Sequence, residues 1–306
     1  MILVKKYREY KTAIRWVLLL AGLYFILVLA YESWANISGI LGNIDRGMFV
    51  SSMIIATACN ILMAFLFNQL LVKHGVNVCD SVALRMFFVG QITKYIPGKI
   101  WTIAYQISHV VGGANARGIL LANIEIMISI IFMTSVLALS LYLYFEYLFL
   151  AVFVFGLGLI VFVLLYKGNI VNTIIYYLPL KLSNSELLGR VAKSSTTYAA
   201  GICFYVLFCS MYVLAYVLML DAVFGFSFEE AAIYIILLTV AWIGGIIAFI
   251  VPAGIGVREA LFVSVSTIVL PEYSVAQLVT IAVLTRFWLI LQDIVGLSFV
   301  PFLRKV

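Results

Sequence analysis

Three ionisable residues stand inside otherwise apolar runs: Glu125 within 118–144, and Arg286 and Asp293 within 276–300. An ion at the centre of a membrane-spanning helix costs about 2.5–3.5 kcal/mol on insertion scales, so it needs a partner or a task. Arg286 and Asp293 lie two helical turns apart and share a helix face. Glu125 and Arg286 occupy matching places in the two halves of the chain. That predicts a buried Glu125–Arg286 pair, either structural or opening with substrate or proton movement. With Asp293 the three would form a charge switch at the midplane. Two Pro/Gly turns also interrupt apolar runs: Tyr95-Ile96-Pro97-Gly98-Lys99-Ile100-Trp101, and Ile250-Val251-Pro252-Ala253-Gly254-Ile255-Gly256-Val257-Arg258-Glu259. Lys94 and Lys99 flank the first. Arg258 follows the second, where a new helix begins. Free N–H groups at that helix start, together with Arg258, read as an anion site suited to phosphate or carboxylate head groups. The bland alternatives are that Lys94 and Lys99 snorkel to the interface and that Arg258 pairs locally with Glu259. Trp101 and Trp242, beside the two turns, either face lipid like most of the aromatics or line a lipid groove.

Other chemistry finds little to work with. Cys59, Cys79, Cys203 and Cys209 show no CxxC spacing and read as small buried hydrophobes. His74 and His109 stand apart, so no metal site is expected. No Ser/His/Asp grouping, P-loop or G-x-G-x-x-G occurs in a plausible setting, and no cofactor is expected.

The elements that must hold these residues follow from composition. Of 306 residues, 65% are hydrophobic and 10% charged; soluble domains run at about 45–50% and about 25%. That excludes a soluble enzyme, a disordered chain and a disulfide scaffold as the main reading. The runs 13–31, 48–72, 118–144, 147–166, 197–220 and 276–300 are each long enough to cross hydrocarbon and do not alternate as barrel strands do. The first lacks a small-residue cleavage site after Tyr31 and reads as a retained anchor. The Pro/Gly-broken stretches 81–111 and 229–270 read as re-entrant hairpins, or as further crossings that would raise six spans to eight. The expected fold is therefore an all-α polytopic membrane protein.

With the N-terminus inside, nearly all of the 19 Lys and Arg residues fall in inside loops, which obeys the positive-inside rule. The formal charge of +6 thus reflects membrane orientation rather than nucleic-acid binding. The chain reads as one membrane domain, 1–306, with a first half at 13–144, a second at 147–303, and a cytoplasmic linker at 167–196. Each half has an odd number of spans, so the halves are inverted and the two hairpins enter from opposite sides. Broken helices that meet at the midplane are a transporter architecture. The simpler alternative is that each Pro-Gly kinks an ordinary span.

At Pro97-Gly98 and at Pro252-Ala253-Gly254-Ile255-Gly256-Val257-Arg258-Glu259 the sequence resembles the transmembrane region of lysylphosphatidylglycerol synthases, the flippase-like family. The family's P-G-G-x-G-x-R-E pattern is met with Ala253 in place of the first glycine of the pair. Ile100-Trp101 stands where the first half of the family commonly has glycine, and Ile126 stands where arginine usually follows the glutamate. The resemblance covers roughly 10–303. It implies a stand-alone member without the soluble aminoacyl-transferase domain, which should not synthesise lysylphosphatidylglycerol; with no catalytic motif found, the chain is not expected to be an enzyme. The implied work is moving an anionic or polyprenyl phosphate-linked lipid head group between leaflets of the inner (plasma) membrane, for cell-envelope assembly. Both termini would be cytoplasmic, and envelope-biosynthesis enzymes are expected partners. Arg258, with Pro252, Gly254, Gly256 and Glu259, would hold the phosphate on the outer side. Lys94 and Lys99, with Pro97, Gly98 and Trp101, would hold it on the inner side. No ATPase motif is present, so uphill movement needs an ion gradient or a partner. Two rivals are a membrane-embedded transferase on lipid-linked sugars, with Glu125 or Glu259 as base, and a non-catalytic scaffold of an envelope-polymer complex.

Overall fold

Apolar runs this long form helices because a backbone in lipid must satisfy its own hydrogen bonds. The computed structural model describes residues 31, 39, 40, 42–95, 100–108, 115–167, 198–247 and 254–302. Among them are nine α-helices, a short 3-10 turn and no strand. We number the helices α1 (Arg46–Lys73), α2 (Asp80–Thr93), α3 (Ile100–Ser108), α4 (Asn115–Tyr144), α5 (Leu148–Lys167), α6 (Tyr198–Phe224), α7 (Phe228–Ile247), α8 (Val257–Val269) and α9 (Val275–Ser298). The chain is an all-α, multi-pass membrane protein: six of these helices are long and apolar enough to cross a bilayer. The expected spans 48–72, 118–144, 147–166, 197–220 and 276–300 appear as α1, α4, α5, α6 and α9. The span at 13–31 lies outside the described residues, as does most of the linker 167–196. The sixth long helix is α7, the first arm of the second broken stretch. Its 20 residues are uninterrupted because the Pro252 turn lies beyond its end.

Polar residues punctuate the elements. The Asp45 carboxylate caps α1 by accepting from the Met48 N–H at 3.0 Å. Ser274 and Gln277 cap α9 reciprocally, and Ser227 and Glu230 do the same for α7.

Both broken stretches fold back on themselves. At the first, the Thr93 and Thr102 hydroxyls hydrogen-bond at 2.7 Å, which lays α3 against α2. The chain then re-emerges where it entered, since Gly118 near the start of α4 sits against His74 at the end of α1. At 14 and 9 residues, α2 and α3 span only about 21 and about 14 Å, too short to cross. At the second, Tyr234 near the start of α7 meets Tyr273 in the α8–α9 connection, ring centroids 6.0 Å apart. The hairpin therefore also closes at the end where it began.

The two hairpins are exchanged between the halves. Helix α2 packs on α9, with Phe88 against Gly296 and Phe299. Its counterpart α7 packs on α4, with Phe228 against Tyr144. The counterparts α1 and α6 lie along each other, and the Asp45 N–H donates to the Ala222 carbonyl at 3.0 Å. That bond joins the start of one helix to the end of the other, so they run antiparallel. Reciprocal packing of this kind is how two inverted halves would associate.

Without a hydrophobic drive between helices in lipid, close packing depends on small residues. Gly244 rests against Leu261, and Gly245 against Arg258. Gly254, at φ +65°, turns the chain onto the Gly245 carbonyl, a backbone conformation that disfavours other residues. A Cβ at Gly245 would collide with the Arg258 Cγ. Gly245→Val is therefore expected to lose about 1–3 kcal/mol through overpacking. The loss is readable as an earlier unfolding midpoint in mixed micelles; an unchanged midpoint would mean that α7 and α8 are not in close contact. Large apolar side chains face outward elsewhere, as Phe149, Phe153 and Leu157 do on α5.

Candidate functional site

The tips of the two hairpins converge on the second half of α9. From α9 come Thr285, Arg286, Gln292 and Asp293, all buried. The end of α2 brings Lys94 and Tyr95, and the first turn of α8 brings Arg258 and Glu259. Lys94 follows the last turn of α2, where the helix dipole favours a cation, and Glu259 stands in the first turn of α8, where it favours an anion.

Asp293 is the anchor. Lys94 Nζ lies 2.9 Å from its Oδ2 and donates to its Oδ1 at 3.2 Å. The Tyr95 hydroxyl donates to Oδ2 at 2.7 Å. Lys94 also donates to Gln91 Oε1 at 3.1 Å and keeps 41% of its side chain open to the surface. The Tyr95 ring lies between two cations, 5.3 Å from Lys94 Nζ and 5.6 Å from Arg286 Cζ, within cation–π range. Arg286 Nε lies 3.7 Å from Glu259 Oε1. Glu259 uses its other oxygen to accept the Gly256 N–H at 2.8 Å. The start of α8 is thus already capped by a carboxylate of its own, which takes one of the N–H groups expected to serve an anion. Gly256, at φ 83°, makes the turn that permits this.

Arg258 stands apart from these pairs. It is half-buried and makes no ion pair with any carboxylate of the described residues. It lies within electrostatic reach of Arg286, of the Tyr216 and Tyr212 hydroxyls of α6, and of its neighbour Glu259, whose carboxylate is shared with Arg286 and the Gly256 N–H. With Glu259, Thr285, Arg286 and Phe262 it lines a cavity of ≈ 20 Å³, room for about one water. The Thr285 hydroxyl on that wall is 2% exposed and has no hydrogen-bond partner among the described residues.

Two sequence expectations are corrected here. Lys94 and Arg258 do not mark separate anion sites on opposite faces. Lys94 lies within electrostatic reach of both Arg258 and Arg286, so the two hairpins build one cluster. The predicted Glu125–Arg286 pair does not form. The Glu125 carboxylate is held by Lys73 Nζ at 2.5 Å and His74 Nε2 at 2.7 Å, all three side chains buried. The end of α1 lies against α4 and supplies both partners. Arg286 and Asp293 do share one face and one site, as their spacing predicts, but Glu125 belongs elsewhere. Pro97, Gly98, Lys99 and Pro252 lie outside the described residues. Gly254 and Gly256 shape the second tip, and Trp101 is 53% exposed on α3.

Sequence reasoning passed over Tyr95, Thr285, Lys73 and His74. Tyr95 adjoins Lys94 at a Pro-Gly turn, a position that hints at more than an aromatic filler. Lys73 reads as an ordinary loop cation, and nothing local links it to Glu125, 52 residues away. No family model, curated protein or solved structure matches the chain. The site's chemistry therefore has to be read from its own geometry. Three cations and two carboxylates meet among apolar helices, Lys94 at 2.9 Å from Asp293 and Arg286 at 3.7 Å from Glu259.

Proposed function

We propose that this protein moves an anionic lipid head group between the leaflets of the cell's inner (plasma) membrane, without covalent change, with both termini cytoplasmic. The observation that carries the reading is Arg258: a cation that forms no ion pair with a carboxylate among the described residues, beside a cavity inside an apolar bundle, where two broken hairpins meet. A cation held in such a place without a counter-ion is costly unless a ligand supplies one. The lipid tails would stay in the bilayer against the apolar outer faces while the head group crosses between the hairpins. Lys94, with its partly open side chain, would meet the phosphate first and release Asp293 as it does so. Arg258 and Arg286 would then take the charge. A cavity of ≈ 20 Å³ is too small for a phosphate group, so passage requires the hairpins to part. Such rocking of one repeat against the other is how inverted-repeat transporters alternate access.

The test is translocation of fluorescent anionic glycerophospholipids and polyprenyl phosphate-linked lipids in proteoliposomes. The wild-type protein should move at least one of them faster than protein-free vesicles do. Arg258→Ala should slow that movement at least tenfold with an unchanged unfolding midpoint. Transport by Arg258→Ala at the wild-type rate would remove Arg258 from the path and with it the basis of the proposal.

A further inference from the structure

We propose that the head group accepted by this site carries a single negative charge: a phosphodiester rather than a phosphomonoester or a diphosphate. The inference rests on the anionic-lipid reading above and narrows its substrate class. Among the described residues the site pairs its charges one to one. Asp293 answers Lys94, and Glu259 answers Arg286. Among these described residues Arg258 alone is left over, so the described part of the site is short of one negative charge. Charges removed from water must be matched closely, because each unmatched one keeps its desolvation cost without a Coulombic return. A monoanion brings the site to neutrality. A dianion brings a second charge that has no counter-ion unless one of the two existing pairs is broken. A zwitterionic head group fails for the opposite reason: its ammonium adds a cation where one is already in excess.

The polar groups around Arg258 suit a diester. Its two non-ester oxygens share one charge, and a guanidinium can grip both. The Thr285 hydroxyl, buried on the cavity wall and without a partner among the described residues, is a donor for an ester or phosphoryl oxygen. The Tyr212 and Tyr216 hydroxyls near Arg258 add neutral donors rather than charge. Both lipid classes contain phosphodiesters: the acidic glycerophospholipids, and polyprenyl phosphates esterified to a sugar. A free polyprenyl phosphate is a monoester, whose second ionisation falls near pH 6, and is disfavoured at neutral pH. A soluble phosphodiester offers the same head-group chemistry without the tails.

The experiment measures binding to the purified full-length protein in detergent by ligand-induced rise in unfolding temperature. The probes are phosphatidylglycerol, phosphatidic acid and phosphatidylcholine with identical acyl chains, and soluble glycerophosphoglycerol, at pH 8. Phosphatidylglycerol should bind at least tenfold tighter than phosphatidic acid or phosphatidylcholine, and the soluble diester should not compete. Glu259→Gln keeps an oxygen for the Gly256 N–H but leaves the site short of two charges. It should shift the preference at least tenfold toward phosphatidic acid. Asp293→Asn makes the same change in charge at the other pair and should shift the preference the same way. Equal or tighter binding of phosphatidic acid by the wild type, still abolished in Arg258→Gln, would overturn the single-charge inference and leave the anionic-lipid reading intact. An unchanged preference in both carboxylate variants would overturn it too. Full competition by glycerophosphoglycerol would make the ligand a free solute. Binding of every probe indifferent to Arg258→Gln would end both proposals.

Discussion

Glu125→Ala is expected to destabilise the protein by about 3–5 kcal/mol, the usual cost of removing one partner from a buried ion pair. The carboxylate is clasped by Lys73 at 2.5 Å and His74 at 2.7 Å, with all three side chains sequestered between the end of α1 and the first half of α4. Truncation removes the carboxylate that both buried nitrogens share. It also loosens the point at which the first hairpin leaves α1. Removing both partners is different, because apolar side chains of similar volume can replace a buried pair at little cost. The double variant Lys73→Met with Glu125→Leu should recover most of the loss, and the coupling between the two sites should exceed 1 kcal/mol. Reversible unfolding in mixed micelles measures both quantities. A Glu125→Ala protein as stable as the wild type would show that the clasp contributes nothing.

That clasp also marks where the sequence stops being informative. The fold class was legible because lipid is an exacting solvent. The uninterrupted apolar stretches at α1, α4, α5, α6 and α9 had to be helices, and Pro97-Gly98 and Pro252-Ala253-Gly254 marked the two other stretches, 81–111 and 229–270, as broken. The hairpins were legible for the same reason, although α7 is a full-length helix because the break falls beyond its end. Spacing put Arg286 and Asp293 on one face, since two helical turns separate them. Their partners could not be found that way. Tyr95 and Lys94 lie 198 and 199 residues from Asp293, and only the exchange of hairpins between halves brings them together. The Glu125–Arg286 pairing failed for an instructive reason. In any two-fold repeat, residues at matching places are related by the symmetry axis, but they touch only if they lie on it. Glu125 instead serves the end of its own half, while Arg286 faces the turn of the second hairpin.

The site's logic therefore lies in contacts between halves, and the Lys94–Asp293 contact is the most direct of them. It ties the tip of the first hairpin to the helix that carries Arg286. In the proposed cycle it is also the pair that the head group must open. Lys94→Asp would set two carboxylates side by side, and Asp293→Lys would set two ammonium groups beside Arg286. Either reversal should slow lipid translocation at least tenfold, equivalent to about 1.4 kcal/mol or more on the barrier. The exchanged pair, Lys94→Asp with Asp293→Lys, restores one cation and one anion at the same contact. It should return the rate to within a few-fold of the wild type, because the coupling energy belongs to the pair and not to either position. Initial rates of head-group translocation in proteoliposomes, taken on the wild type, both single reversals and the exchanged pair, form the decisive measurement. Two slow singles with a rescued double are the predicted result. Singles as fast as the wild type, or a double no faster than its parents, would contradict a translocation site built where the two hairpins meet.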